Sequence, residues 1–192
     1  CVTRRQRQMC IRDSVHIADV SEFVQEGSEI DNEAMIRGNS YYFYEGVSHM
    51  LPEHLSENFC SLKENQPRLA LTVTIDLGFN GEVTNSTIYE TVIKVDKCFS
   101  YEEIEKILMK NNENHFLKSL KLFEEISTIL KNNRIKNGGF EIYSSDIHYD
   151  LNKNGELENI KDKKSFKSHK IVEECMLLAN RIVAEKYGEK LK

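Results

Sequence analysis

Aromatic rings stand side by side in Ser40-Tyr-Tyr-Phe-Tyr44, and lysines surround Phe166 in Lys161-Asp-Lys-Lys-Ser-Phe-Lys-Ser-His-Lys170. Flat aromatic faces can hold unstacked bases without reading their sequence, at about 1–3 kcal/mol per base. Lysines interleaved with an aromatic could track phosphates. Each feature also has a plainer reading. A run of aromatics is common in a packed strand, and the lysine run suits a solvated loop leading into a helix. Alternation puts Tyr41 and Phe43 on one side of an extended segment and Tyr42 and Tyr44 on the other. Glu173 lies in a helical pattern that sets Met176, Leu177 and Asn180 on neighbouring positions. A carboxylate beside such a stripe needs a polar partner or a ligand; otherwise it is an ordinary solvated helix residue.

Several other chemistries are not spelled. The six histidines, at positions 16, 49, 54, 115, 148 and 169, show no His-x₃-His or similar metal-ligand spacing and read as structural or exposed. There is no Gly-rich phosphate loop, serine elbow or Cys–His pair. After residue 14, cysteine occurs only as Cys60, Cys98 and Cys175, odd in number and far apart. That pattern gives neither a disulfide framework nor a zinc knuckle and makes a reducing cytoplasm the expected compartment. No apolar run approaches the roughly 20 residues that a bilayer span requires, so no membrane partner is expected. A hydrophobic content of 40% with 30% charged residues belongs to a soluble globular class.

The elements that must position these residues follow from periodicity. Residues 15–20 and the aromatic residues 41–44 read as extended. Residues 31–37 read as a short helix with Asp31 as N-cap and Gly38 as terminator, and a helical turn starts at Leu51-Pro52-Glu53 and runs through Phe59. Residues 68–77 form a strong strand with Leu69, Leu71, Val73 and Ile75 on one face, joined through Asn80-Gly81 to residues 83–92 as a hairpin. Ser100 caps a helix over 101–110 with Glu103 in the capping-box position. A second helix over 115–132 ends at Asn137-Gly138-Gly139. Residues 140–151 return to strand, turn at Asn154-Gly155 and pair back at 157–160. A final amphipathic helix covers 168–187 and stops at Gly188. Strands and helices mix without a βαβ rhythm, which predicts an α+β fold: a mixed, mainly antiparallel sheet with packed helices.

The first residues, Cys1-Val-Thr-Arg-Arg-Gln-Arg-Gln-Met-Cys-Ile-Arg-Asp-Ser14, admit three readings. They could be a basic RNA-binding arm, or a targeting segment, although the apolar stretch of a secretory signal is missing. The third reading fits best. Residues 4–14 match the in-frame translation of a transposase adapter used in shotgun sequencing libraries. Residues 1–14 are therefore expected to be a non-native scar, with residues 15–192 forming one domain. Setting aside Arg4, Arg5, Arg7, Arg12 and Asp13 moves the formal net charge from −5 to −8. So acidic a balance is unusual for a free-standing nucleic-acid binder.

Six motifs then occur in order: His16-Ile-Ala-Asp-Val20; Ile36-Arg-Gly-Asn-Ser40; Met50-Leu-Pro-Glu53; Leu55-Ser56 with Cys60-Ser-Leu62; Arg68-Leu-Ala-Leu71; and His169-Lys-Ile-Val-Glu-Glu-Cys-Met-Leu-Leu-Ala-Asn180. Over essentially all of residues 15–192 this series resembles the catalytic domain of the ribonuclease II/R family of 3′-to-5′ exoribonucleases.

The resemblance implies a partial catalytic domain of a monomeric, multidomain enzyme. Single-stranded RNA would thread into a channel and leave as 5′-nucleoside monophosphates. Mg²⁺ ions held by clustered Asp carboxylates would activate water. By the same resemblance, Tyr42 packs on a base near the 3′ end, Tyr101 helps fix where the bond is cut, and Glu173 contacts a ribose, where a 2′-hydroxyl distinguishes RNA from DNA. A second base-clamping aromatic is expected after Gly138-Gly139, where Ile142 stands; either Tyr143 or Phe140 serves through a shifted alignment, or the clamp is one-sided. The family's metal motif, ending in Asp-x-Asp-Asp, belongs just upstream of residues 16–20, where the adapter-like stretch lies, and Asp13 is part of that stretch. The family's active-site arginine would fall beyond Lys192. No catalytic or metal-binding residue is therefore expected here, and the chain alone is expected to be inactive. The alternative is an RNA-binding or regulatory relative without nuclease activity.

Overall fold

Threonines alternate with valine, isoleucine and leucine in residues 69–77, a pattern suited to a strand with one wet and one dry face. The computed structural model describes all residues except 1, 8–9, 44–45, 111–114, 142–146, 153–156, 163–165 and 189–192. The chain divides into two compact units, Cys1–Cys98 with Arg181–Lys192, and Phe99–Asn180. In the first, β1 (Val2–Arg7), β2 (Cys10–Ala18), β5 (Pro67–Leu77) and β6 (Val83–Lys94) form one antiparallel sheet in the order β1-β2-β5-β6. A separate ribbon pairs β3 (Tyr41–Tyr42) with β4 (Val47–Ser48). The mixed α+β architecture read from the sequence is the one observed.

β2 is longer than residues 15–20 and begins earlier. β5 offers it partners from Ile11↔Leu77 to Ala18↔Ala70, so pairing runs through residues 11–14 into the strand that contains Val15. On the dry face of the sheet Val15, Val73, Ile75 and Leu77 are buried. Leu71 shares that face but remains 36% exposed, because its cross-strand neighbours Ile17 and Glu90 are exposed as well. The opposite face is laced by side chains, and Ala70, Thr72 and His16 on it are buried as well. Thr91 Oγ1 donates to the Ala70 carbonyl at 3.0 Å, Thr72 Oγ1 lies 2.6 Å from Thr91 Oγ1, and His16 Nδ1 lies 2.8 Å from Thr72 Oγ1. Thr91 has spent its proton on the carbonyl, so Thr72 donates to Thr91 and His16 donates from Nδ1, which fixes the imidazole tautomer. Four residues along, Arg12 Nη2 bonds Asp76 Oδ2 at 2.9 Å, and this contact holds the Asp76 carboxyl below the usual range.

α1 (Glu29–Arg37) starts one turn earlier than its sequence suggests. Ser28, not Asp31, is the N-cap: its hydroxyl accepts the Asp31 N–H at 3.2 Å, while the Asp31 carboxylate reaches back to the Gly27 N–H at 2.9 Å. Either residue type can cap, and the reciprocal pair decides which one does. Gly38 ends the helix with φ 67°, as expected. The turn expected after Leu51 is a π-helical segment, Leu55–Phe59.

The second unit contains α2 (Tyr101–Lys110), α3 (Leu117–Lys136) and the hairpin β7 (Ile147–Leu151) with β8 (Leu157–Asp162). α4 (Lys167–Tyr187) belongs to it as far as Asn180. The capping box of α2 is complete: Ser100 N–H donates to Glu103 at 2.8 Å and Glu103 N–H to Ser100 Oγ at 3.2 Å. α3 ends as anticipated at Asn137-Gly138-Gly139, where Gly138 has φ 90° and a Cβ on Gly139 would come within 2.8 Å of Arg134. Of the expected strand over 140–151, β7 covers Ile147–Leu151 and Phe140 and Glu141 are not in a strand, while residues 142–146 lie outside the described residues. The turn at 154–155 and residues Ile142 and Tyr143 lie outside the described residues.

Burial holds the His16 imidazole below the ordinary histidine range. The folded chain then binds this proton less readily than the unfolded chain. Its contribution to stability is complete above the ordinary value and lost as pH falls below it. The urea midpoint should therefore drop between about pH 7.5 and about pH 5, and His16→Gln should shrink that drop. An equal drop in both proteins would show that His16 is not responsible.

Candidate nucleic-acid interface

In the first unit the aromatic run forms a short ribbon with a fixed base. Tyr42 pairs with Val47 and Tyr41 with Ser48, and Phe43 N–H closes onto the Gly46 carbonyl at 2.9 Å. Below it, Ser40 Oγ accepts the Met50 N–H at 2.9 Å, and Arg37 Nη1 donates to the His49 carbonyl at 3.0 Å. Tyr41 and Phe43 share a side, as alternation requires, with nearly parallel rings 6.4 Å apart. Tyr42 points the other way and is 79% exposed. Sheet packing is thus not what occupies this ring. Tyr44 lies outside the described residues. Beside the ribbon, Glu33, Arg37 and residues 47–53 line a cavity of about 370 Å³.

In the second unit the N-termini of α2 and α4 meet. Ser168 Oγ donates to the Tyr101 carbonyl at 3.0 Å, and the Lys167 N–H donates to Glu105 Oε2 at 3.2 Å, so a buried α2 carboxylate satisfies an otherwise orphaned donor at the start of α4. Glu102 is held below the usual carboxylate range, first by its own backbone N–H at the start of α2 and then by the Ser100 hydroxyl. The Tyr101 and His169 rings stack at 3.9 Å with 16° between their planes. Glu173 is exposed one helical turn beyond His169. Tyr101 and Glu173 therefore share a unit, linked through the first turns of α4, while Tyr42 belongs to the other unit.

The environment expected for Glu173 is found at its neighbour. Glu173 faces solvent alongside Leu177 and Asn180, also exposed, so no desolvation demands a partner for it. Glu174 is the buried member of the pair, at 4% exposure, and Arg134 of α3 grips both of its oxygens, at 2.6 Å and 3.3 Å. That contact raises the Arg134 guanidinium above its already high ordinary value. The reversal comes from helix phase: Ile171, Glu174, Cys175 and Leu178 make the buried stripe. In the basic run, Lys167 is taken up by Glu124 at 2.6 Å, which raises its ammonium, and residues 163–165 lie outside the described residues.

Sequence reasoning passed over His169, Arg134, Glu174 and Glu105. A signal existed for one of them. His169 is the third residue of α4, the position from which a side chain reaches back to the N-cap, and its Nδ1 accepts the Phe166 N–H at 3.2 Å. Among the described residues no three His, Cys, Asp or Glu side chains converge to hold a metal ion. The Mg²⁺ implied by resemblance has no matching ligand set among them.

The RNB domain family matches residues 4–192. The chain belongs to this family. It is 38% identical over 177 residues to ribonuclease R of Thermotoga maritima, covering 89% of this chain and 25% of the relative, and 40% identical over 178 residues to ribonuclease R of Helicobacter pylori, covering 91% and 27%. It thus spans about a quarter of the length of these relatives. Mycoplasma genitalium RNase R, solved in complex with ribose-methylated single-stranded RNA, superposes with a TM-score of 0.91 at 26% identity, over 98% of this chain and 30% of that one. Yeast Ssd1, a pseudonuclease, has the same fold at 18% identity and a TM-score of 0.76, over 99% of this chain and 23% of its own. Likeness at that identity shows the fold alone.

Breaking a pair whose carboxylate is buried strands a charge. Arg134→Met should cost on the order of 2–3 kcal/mol, at or below the lower end for buried pairs because the guanidinium is partly exposed, whereas Arg134→Met with Glu174→Met should recover most of that loss. Chemical denaturation of the three proteins decides it; a single variant as stable as the parent would show that the pair is not buried in solution.

Proposed function

We propose that this chain is part of a 3′-to-5′ exoribonuclease that degrades single-stranded RNA to 5′-nucleoside monophosphates in RNA turnover. The observation that supports this reading most is the RNB match along nearly the whole chain, together with 38–40% identity to ribonuclease R in two bacteria. Tyr42 and Tyr101 offer rings to solvent, and Glu173 presents an exposed carboxylate one turn from the Tyr101–His169 stack. In this reading Tyr42 stacks on a base, Tyr101 helps fix where the bond is cut, and Glu173 accepts from a ribose hydroxyl. In that reading a divalent metal such as Mg²⁺ would be held by residues other than those described, and would supply water activation.

A second reading is an RNA-binding or regulatory relative without nuclease activity, in which the same exposed rings and carboxylate hold a strand without cleaving it. The 192-residue chain by itself is inferred to be inactive under either reading.

A hybrid separates the two. Residues 15–192 replace the matching segment of Thermotoga maritima ribonuclease R, and the product is assayed with Mg²⁺ on poly(A). Release of mononucleotides from the 3′ end is expected, whereas the 192-residue chain alone should release none. Internal fragments, or binding without cleavage by the hybrid, would remove the exonuclease reading. In the same hybrid, Tyr42→Ala should weaken binding of a short RNA by about 1–3 kcal/mol, roughly five- to 150-fold. Unchanged affinity would count against its stacking role.

A further inference from the structure

The backbone of Tyr101 is fixed by the α2 capping box and by Ser168, but neither contact fixes the plane of its ring. His169 does. At 3.9 Å and 16° the two rings lie face to face, and Tyr101 still keeps 40% of its surface open. The imidazole is itself anchored. Its Nδ1 accepts the Phe166 N–H at 3.2 Å, which makes Nδ1 the unprotonated nitrogen, and the Phe166 ring lies 5.6 Å away and nearly parallel. Glu or Gln commonly makes this reach back to the N-cap. Glutamine would cap without stacking, and phenylalanine would stack without capping; histidine accepting at Nδ1 does both with one ring.

We propose that His169 is the positioning residue for Tyr101, setting the ring plane against which the RNA end is registered and so the length at which degradation stops. This rests on the role of Tyr101 proposed above. A residue that only capped α4 would give a different pattern of variants, because a helix cap needs an acceptor and a ring support needs a face.

The test uses the hybrid enzyme and reads the length of the final undegraded product on a single-stranded oligonucleotide, with KM for long RNA measured alongside. His169→Ala and His169→Gln should both shift the final length in the direction that Tyr101→Ala shifts it, with KM little changed. His169→Phe should return it toward the parent value. Adding His169→Ala to Tyr101→Ala should produce no further shift. Full rescue by His169→Gln, with none by His169→Phe, would leave His169 as a cap only and overturn the proposal. A final length unmoved by Tyr101→Ala would remove the role of Tyr101 and this proposal with it. A second readout is independent of catalysis: Tyr101 ring-proton resonances in the 192-residue chain, assigned with Tyr101→Phe, should lose their upfield ring-current displacement in His169→Leu. Resonances unchanged by that substitution would mean that no stack exists in solution, whatever the enzyme does.

Discussion

A carboxylate removed from water must meet its counter-charge inside the fold, and Glu174 makes that demand on the second unit. Its two oxygens are both taken by Arg134, near the end of α3. A forked guanidinium meeting a carboxylate at two points fixes orientation as well as distance. The same segment of α3 must end at once, and Gly138 and Gly139 let it do so: one adopts a conformation that L side chains rarely take, the other leaves room for Arg134. With α4 held in rotation by Glu174, its opposite flank is presented to solvent, and Glu173 falls on that flank. The exposed carboxylate is where it is because the adjacent one is buried.

A similar economy operates at the other end of α4. Its first N–H groups lack helical partners, and two of the solutions come from side chains rather than water: Glu105 takes the Lys167 N–H, and His169 takes the Phe166 N–H. Ser168 returns a bond to the Tyr101 carbonyl. The capping chemistry of two helices is thereby shared, and the aromatic face that emerges is a by-product of satisfying backbone donors. In the first unit, sheet pairing has an equivalent consequence. One face of β2 and β5 is dry, and the other carries the His16–Thr72–Thr91 chain, whose proton directions are fixed in turn by the Ala70 carbonyl.

Much of this was legible in the sequence, and the limits have physical causes. The hairpin around Asn80-Gly81, the Ser100–Glu103 box and the Gly38 and Gly138-Gly139 stops were readable because each depends on residues within a turn of one another. The cap of α1 was misplaced because Ser28 and Asp31 are both good caps, and their reciprocal bonds, not residue type, choose between them. β2 extends past its expected start because strand length is set by the partner strand, which lies far away in sequence. The Glu173–Glu174 reversal is a matter of helix phase: a one-residue rotation exchanges a buried carboxylate for an exposed one, and the buried stripe of Ile171, Cys175 and Leu178 together with Arg134 on α3, forty residues upstream, selects it. His169 was dismissed on the ground that it lacked metal spacing, although its position in the first turn of a helix was itself a capping signal.

Charge sets the terms on which such a chain could engage a nucleic acid. Residues 15–192 carry a formal net charge of −8, and Lys167 and Arg134 are occupied by Glu124 and Glu174. Phosphate contacts of the kind that release counterions need positive groups facing outward, and these two do not supply them. Exposed rings at Tyr41, Tyr42 and Phe43, together with Tyr101, offer the other currency of single-strand binding, which is stacking. Stacking is short-ranged and depends on ring orientation, so its value rests on the anchors beneath each ring: Ser40 and Arg37 under the ribbon, His169 and Ser168 beside Tyr101. In each unit taken by itself, rings held in this way are suited to stacking on a base already at hand rather than to attracting a charged strand from a distance.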